Sequence, residues 1–216
     1  MSFYLTLLGA PGCGKGTQSE RLAKRFNIPV VGIGNIIRSE IKQGTPLGIK
    51  VKNIVADGDL VPDELIVELF EASMHQNLVN DGVVLDGYPR TLLQSKSFYS
   101  FFLKKRLPIN IIYVKTSFNL IKDRLLGRML CPNCGAIFHS KSKPPLKPGQ
   151  CDQCHSSLIV RPDDHETAIR HRYDVFLKEI DPILSFFSKS VVVIDGDSNS
   201  DDVFSRLLDV LVLVKT

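Results

Sequence analysis

Nowhere in the 216 residues does an apolar run approach the ~18 residues that a membrane-spanning helix needs. Phe3–Leu8 is apolar, but Gly9 and Pro11 end it before it reaches the length of a signal-peptide core. The chain is therefore expected in the cytoplasm, without a membrane partner. Low-complexity tracts and internal repeats are lacking too, which argues against global disorder. No strong charge bias exists either: a formal +4 and a pI of 8.8 fall short of a dedicated nucleic-acid binder. Much of that excess sits in Lys141–Lys147 and in scattered arginines, and small anionic ligands account for it as well as a polymer would. Cysteine is scarce. Five in a chain read as cytosolic point to metal or reactive thiols rather than disulfides.

What is present suffices for one sizeable core plus an insertion. Phe3–Leu8 reads as a central strand, followed by a glycine-rich turn and a helix over Thr17–Phe26 with Leu22, Ala23 and Phe26 on one face. Further strands are expected at Val83–Leu85 closing on Asp86, at Ile109–Val114, and at Val191–Ile194 closing on Asp195. Helical spacing marks Asp63–Leu78, Leu92–Leu103 and Phe118–Leu126. This alternation predicts an α/β fold, a parallel sheet covered by helices on both faces. Ligands of such sheets bind at the carboxyl ends of the strands, where Gly9, Asp86 and Asp195 stand. Two segments break the rhythm. Gly32–Val61 reads as short helices punctuated by Gly34, Gly44, Gly48 and Gly58. Leu130–Pro162 is rich in Cys, Pro, Gly and Lys. Both read as insertions above the ligand edge, the kind of hinged segment that closes over a site. The expected division is a core of residues 1–31, 62–126 and 165–216, a helical insertion at 32–61 and a lid at 127–164.

The run Gly9-Ala10-Pro11-Gly12-Cys13-Gly14-Lys15-Gly16-Thr17 fits G-x-x-x-x-G-K, with the hydroxyl residue one place late. Glycines let successive N–H groups point inward, and the helix start adds its dipole and free donors. Lys15 adds a full charge for the outer phosphates, and Thr17 a hydroxyl for a phosphate or a metal-bound water. Strand, loop and helix in that order make this a phosphate site of a P-loop enzyme. Cys13 has two readings: a thiol activated by Lys15 and the helix start, or a small residue filling the turn.

An apolar strand ending in Asp86 suits Mg²⁺ held through water. In the run Asp86-Gly87-Tyr88-Pro89-Arg90-Thr91-Leu92-Leu93-Gln94, Gly87 permits close backbone approach, Arg90 offers a planar fork to a phosphate, and Gln94 offers a donor and an acceptor to a base. Cys131-Pro-Asn-Cys134 and Cys151-Asp-Gln-Cys154 are paired C-x₂-C knuckles, a structural Zn²⁺ signal with no open position for catalysis. The segment has few apolar residues, chiefly Ile137, Phe138, Leu146 and Leu158. The ~10–16 kcal/mol of a structural zinc site would decide whether it folds. His139 and His155 are read as ordinary polar residues.

With these runs, the Asp123-Arg124 and Gly127-Arg128 pairs, Arg161-Pro162-Asp163-Asp164 and Arg172, the sequence resembles the adenylate kinases over essentially its whole length. The resemblance implies a monophosphate-binding insertion, a zinc-stapled lid and a monomer acting on ATP and AMP or ADP, with Mg²⁺. It places Gly12, Cys13, Gly14, Lys15, Gly16, Thr17, Arg124, Arg128 and Asp197, at the centre of Gly196–Ser198, around ATP. It places Ile33, Arg38, Val61, Ile66, Gly87, Arg90, Gln94, Arg161 and Arg172 around AMP. Lys15, Asp86, Arg90, Arg124, Arg128, Arg161 and Arg172 would carry the chemistry, which is mostly positioning and charge clamping. For Arg161 a structural ion pair with Asp163 or Asp164 competes with that role. Where the family usually reads Ser/Thr-Thr-Gly-Asp, this chain has Gly32-Ile33-Gly34-Asn35, which makes the acceptor pocket more apolar and less charged. The rival readings are a kinase for another nucleoside monophosphate, a regulatory NTPase, and a zinc-knuckle nucleic-acid-binding protein. The last is disfavoured because the lysines of 141–147 have few aromatics for stacking beside them.

Overall fold

The computed structural model describes residues 3–77 and 82–213. Five parallel strands form the main sheet: β1 (Phe3–Leu8), β2 (Val30–Val31), β3 (Gly82–Asp86), β4 (Asn110–Lys115) and β7 (Val191–Asp195), in the order β2-β3-β1-β4-β7. Along β1 the side chains alternate between two cores: Tyr4 and Leu8 face one, Leu5 and Leu7 the other. With both faces covered, no strand needs a polar side, which explains the unbroken apolar runs. On the first face lie α4 (Asp63–Asn77), α5 (Leu92–Lys104) and the end of α7 (Glu166–Phe186), through Phe70, Met74, Phe98, Phe102 and Ile183. On the second lie α1 (Lys15–Phe26), α6 (Phe118–Leu126) and α8 (Ser200–Leu213), through Leu22, Leu125 and Leu207.

The expected elements are present with small shifts at their ends. The first helix starts at Lys15 rather than Thr17, because Gly14 at φ 102° is its N-cap and the loop runs straight into the helix. The helix expected over Asp63–Leu78 is described as Asp63–Asn77; Leu78 lies outside the described residues. The sequence pattern missed β2, since two residues carry no periodicity. Among the described residues, no helix is long and apolar enough to cross a membrane.

Residues 32–61 hold two helices, α2 (Ile33–Gln43) and α3 (Pro46–Asp57). Left-handed Gly44 ends α2, Thr45 Oγ1 accepts from Gly48 N–H (3.1 Å) at the start of α3, Pro46 fills the first turn and left-handed Gly58 ends it. After α6 the chain forms a small antiparallel sheet of β5 (Arg128–Leu130) and β6 (Ile137–His139), with a bridge from Leu130 to Ile159. The 21-residue α7 then returns the chain to the core.

Candidate active site at the carboxyl edge of the sheet

The Gly9–Thr17 loop leaves β1 at the middle of the sheet. Gly12 (φ 85°) and Gly14 (φ 102°) adopt left-handed backbone, and a Cβ on Gly12 would lie 2.6 Å from Leu125 Cγ, so a side chain there is excluded twice. Lys15 Nζ donates to the carbonyls of Gly9 (2.7 Å) and Ala10 (2.8 Å), and lies 3.4 Å from Cys13 Sγ. Its ammonium is thus held over the loop, where phosphate oxygens would replace the carbonyls. Cys13 is buried, and a Cβ on Gly9 would lie 2.6 Å from its sulfur. Its packing against the turn matches the filler reading.

At the end of β3, Asp86 faces this loop: a Cβ on Gly16 would lie 3.4 Å from Asp86 Oδ2. Across the loop, Arg124 ties two backbone segments together through the carbonyls of Cys13 (3.0 Å) in one and of Gly196 (3.3 Å) and Ser198 (2.7 Å) in the other. Asp197 lies beside it and accepts from Ser117 N–H (2.7 Å).

On the other side, two guanidinium groups meet at the start of α2. A Cβ on Gly34 would lie 3.2 Å from Arg90 Nη2 and 3.3 Å from Arg38 Nη1. Two cations at the positive end of a helix dipole is an arrangement that favours an anion. Burial, then repulsion from Arg161 and Arg90, pushes the Arg38 guanidinium down to about 9, still charged at neutral pH. Burial likewise lowers Arg90, Arg161 and Arg172. Arg90 is solvent-exposed by surface area, yet protein crowds around it, which describes a side chain inside an open cleft. Arg90 Nε donates to Gly87 O (2.9 Å).

Three more arginines approach from the far side of the cleft. Arg128 makes a two-pronged pair with the buried Asp164 (2.7 and 2.5 Å), and Arg172 pairs with Asp163 (2.7 Å). Arg161 has no carboxylate within salt-bridge distance among the described residues, and its buried Nε lacks a partner. The acids next to it in sequence serve other arginines, so the ion pair weighed for Arg161 is absent. Repulsion among Arg38, Arg90, Arg128, Arg161 and Arg172 describes a cluster short of negative charge.

The Adenylate kinase family model matches residues 7–192. The chain belongs to the adenylate kinase family. It is 36% identical over 214 residues to an adenylate kinase of Clostridium perfringens strain 13, covering 98% of each chain. It is 37% identical over 207 residues to one of Alkaliphilus oremlandii (94% of this chain, 96% of the relative). With one of Geobacillus sp. strain WCH70 it shares 35% over 210 residues (96% and 97%). This adenylate kinase family member is a nucleotide kinase with a five-stranded parallel α/β core.

The apolar part of the expected acceptor pocket is one patch in this family member. Ile33, Val61 and Ile66 are all buried within the core cluster that contains Tyr88 and Phe70. Asn35 Oδ1 accepts from Arg38 Nη2. Gln94 is 1% exposed, with Oε1 accepting from Arg90 N–H (2.8 Å) and Nε2 donating to Asp63 (2.7 Å). Sequence reasoning missed Asp63, whose only signal is its place in the first turn of α4, a common site for acids.

The four cysteines come together with all four sulfurs within 4.8 Å of one another. Each knuckle repeats one backbone pattern. Cys131 N–H donates to Ala136 O (2.9 Å) and Gly135 N–H to Cys131 O (3.0 Å), as Cys151 N–H does to Ser156 O (2.9 Å) and His155 N–H to Cys151 O (2.9 Å). Four thiols converging from two matched turns fit a tetrahedral metal. His139 stands apart: its Nδ1 accepts from Lys141 and Ser142 N–H (both 3.1 Å), so Nε2 carries the proton facing Asp123 O (3.2 Å). That is the ordinary polar role expected of it. Lys42 of α2 donates to Pro132 O of the first knuckle (3.0 Å), linking the 32–61 insertion to the cysteine segment.

Proposed function

We propose that the enzyme transfers the terminal phosphoryl group of ATP to AMP, giving two ADP, and runs equally in reverse. An AMP phosphate oxygen bonds to the γ-phosphorus as the bond from that phosphorus to the oxygen of the leaving ADP breaks. The observation that carries this reading is the convergence of five arginines from separate segments on a cleft whose opposite wall is the Lys15 loop. A switch that only hydrolyses a triphosphate has no use for the cation pair at Gly34.

In this reading, residues 32–61 bind the monophosphate, 127–164 form the lid, and the remainder is the core. Lys15 leaves the Gly9 and Ala10 carbonyls for the β- and γ-phosphates, and loop N–H groups from Gly12 to Thr17 cradle them. Arg38 and Arg90 hold the acceptor phosphate at the start of α2. Ile33, Val61, Ile66, Gly87 and Gln94 surround its base. Arg124 and Asp197 stand beside the ATP adenosine. Arg128, Arg161 and Arg172 gather on the phosphoryl group in flight, where charge spreads over its oxygens and preset cations act most strongly. Asp86 and Thr17 would hold Mg²⁺, which neutralises phosphate charge when bound; the carboxylate beside Gly16 fits that role. Cys131, Cys134, Cys151 and Cys154 would hold Zn²⁺, a structural ion only, since four thiolates fill its coordination.

A second reading, a kinase for another monophosphate, is favoured by one observation: Ile33 is buried where a hydroxyl is usual. A coupled assay offering ATP, Mg²⁺ and each nucleoside monophosphate in turn decides between them. The expected result is ADP formation from AMP, abolished by Lys15→Ala. Preference for CMP or UMP would overturn the adenylate reading and leave the kinase intact.

A further inference from the structure

Gln94 is gripped at both ends of its amide. Its Oε1 accepts from Arg90 N–H at 2.8 Å, and its Nε2 donates to Asp63 Oδ1 at 2.7 Å. The other oxygen of Asp63 accepts from the Thr91 hydroxyl at 2.9 Å, and Thr91 Oγ1 in turn caps α5 by accepting from Gln94 N–H at 3.1 Å. Gln94, Asp63 and Thr91 form a closed ring of hydrogen bonds, with Arg90 N–H attached to it at Gln94, and the ring ties the start of α4 to the start of α5.

The ring has a chemical direction. An ionised carboxylate only accepts and a backbone N–H only donates. A flipped Gln94 amide would set its oxygen against the Asp63 carboxylate and its NH₂ against the Arg90 N–H. Both contacts would turn repulsive in a site that is 1% exposed, where unsatisfied polar groups are costly. One amide N–H and one Oε1 lone pair are left uncommitted among the described residues.

We infer that Asp63 is a specificity-determining positioning residue: by locking the sense of the Gln94 amide, it makes the acceptor site read a 6-amino purine and reject a 6-oxo purine. This rests on the proposal that Gln94 meets the acceptor base. Adenine presents an N6–H donor beside the N1 acceptor, which pair with an amide oxygen and an amide N–H. Hypoxanthine presents the O6 acceptor beside an N1–H donor, which pair equally well with the same amide turned over. A glutamine free to turn reads both. Asp63 at one end and the Arg90 N–H at the other remove that freedom, and Asp63 is the end that a side-chain substitution can release.

The test compares AMP with IMP as acceptor, at saturating ATP and Mg²⁺, in three proteins: wild type, Asp63→Asn and Gln94→Ala. Asparagine nearly keeps the shape of aspartate, but can donate as well as accept, so it no longer opposes the turned amide at its own end and leaves only the Arg90 N–H to favour one sense. The AMP-to-IMP ratio of kcat/KM is expected to fall by about tenfold or more in Asp63→Asn, the scale of one bidentate base contact. Most of that change should come from a gain on IMP. A merely structural role for Asp63 would depress both substrates together and leave the ratio alone. Gln94→Ala separates the two layers of the argument. If it leaves AMP kinetics unchanged, the base-reading role of Gln94 fails. If it weakens AMP but Asp63→Asn preserves the ratio, the lock fails while the base-reading role stands. A measurement on the wild-type protein needs no variant to fold: as an inhibitor of AMP phosphorylation, IMP is expected to bind about tenfold or more weakly than AMP, and equal affinity would overturn the lock.

Discussion

Around the parallel sheet, Leu5, Val84, Phe98 and Leu207 are sealed from water at 0% exposure, and two apolar clusters back each other across the strands. In the segment from Arg128 to Pro162 the only buried hydrophobic positions among the described residues are Cys131, Phe138 and Cys151, while Leu146 stands 91% exposed. The core is stabilised by apolar area, at about 25 cal/mol per Å² removed from water. The cysteine segment has almost none to bury, and two of its three buried positions are cysteines of the candidate metal cluster. One region therefore holds its shape whatever is bound. The other is proposed to keep its shape through a metal, and it touches α2 through contacts such as Lys42 to Pro132. In the proposed function this division has a use, since the glycine loop would need a rigid base and the proposed lid freedom to open.

The contrast can be broken most severely by removing ligands. Cys131→Ser with Cys134→Ser is expected to lose the metal and with it most of the ~10–16 kcal/mol that a structural zinc supplies. Protease cleavage within 127–164 should then appear at temperatures where the core remains folded, and the protein should melt lower. Full metal content with unchanged melting would reverse the division drawn between the two regions. Next in size comes charge. Arg161→Ala should lower kcat by about 10³-fold, at the low end for an arginine that clamps a moving phosphoryl group, with little change in melting temperature. Because its Nε has no partner in the resting fold, this arginine should matter for turnover and not for stability. Phe98→Ala should do the opposite, costing about 3–5 kcal/mol in denaturant unfolding while metal content stays unchanged. The smallest effect is expected where the two regions join. Lys122 hydrogen-bonds the Glu166 carboxylate and holds it below the usual carboxylate range. A depressed acid contributes stability above its unfolded pKa and loses it as pH falls through the folded value. Glu166→Gln should therefore melt slightly lower at neutral pH, and the difference should shrink only as pH falls below the ordinary carboxylate range.

Much of this was legible before any fold was built. An apolar run into a glycine loop, Asp86 closing a strand and two C-x₂-C knuckles are local patterns in which neighbours in sequence are neighbours in space. What escaped were pairings across long separations. Arg128 finds Asp164 thirty-six residues on, and Asp63 finds Gln94 thirty-one residues on. Reading along the chain weighed an ion pair of Asp163 or Asp164 with nearby Arg161 against its role at the phosphates, whereas the fold pairs these acids with Arg172 and Arg128. The two-residue β2 and the short β5–β6 hairpin carry too little periodicity to stand out.

The placing of β1 at the middle of the sheet has a consequence for how the chain comes off the ribosome. Phe3–Leu8 has no partner until Gly82–Asp86 and Asn110–Lys115 have been made, because those strands supply its two edges. For roughly a hundred residues of synthesis the strand that leads into the phosphate loop must wait unpaired, a slow non-local closure that leaves apolar surface open to aggregation. The cysteine segment has no such delay. Its knuckles lie within a few dozen residues of each other and can close as soon as Cys154 emerges. The cysteine segment thus closes on itself almost as soon as it is made, whereas the strand that leads into the glycine loop depends on partners from far along the chain.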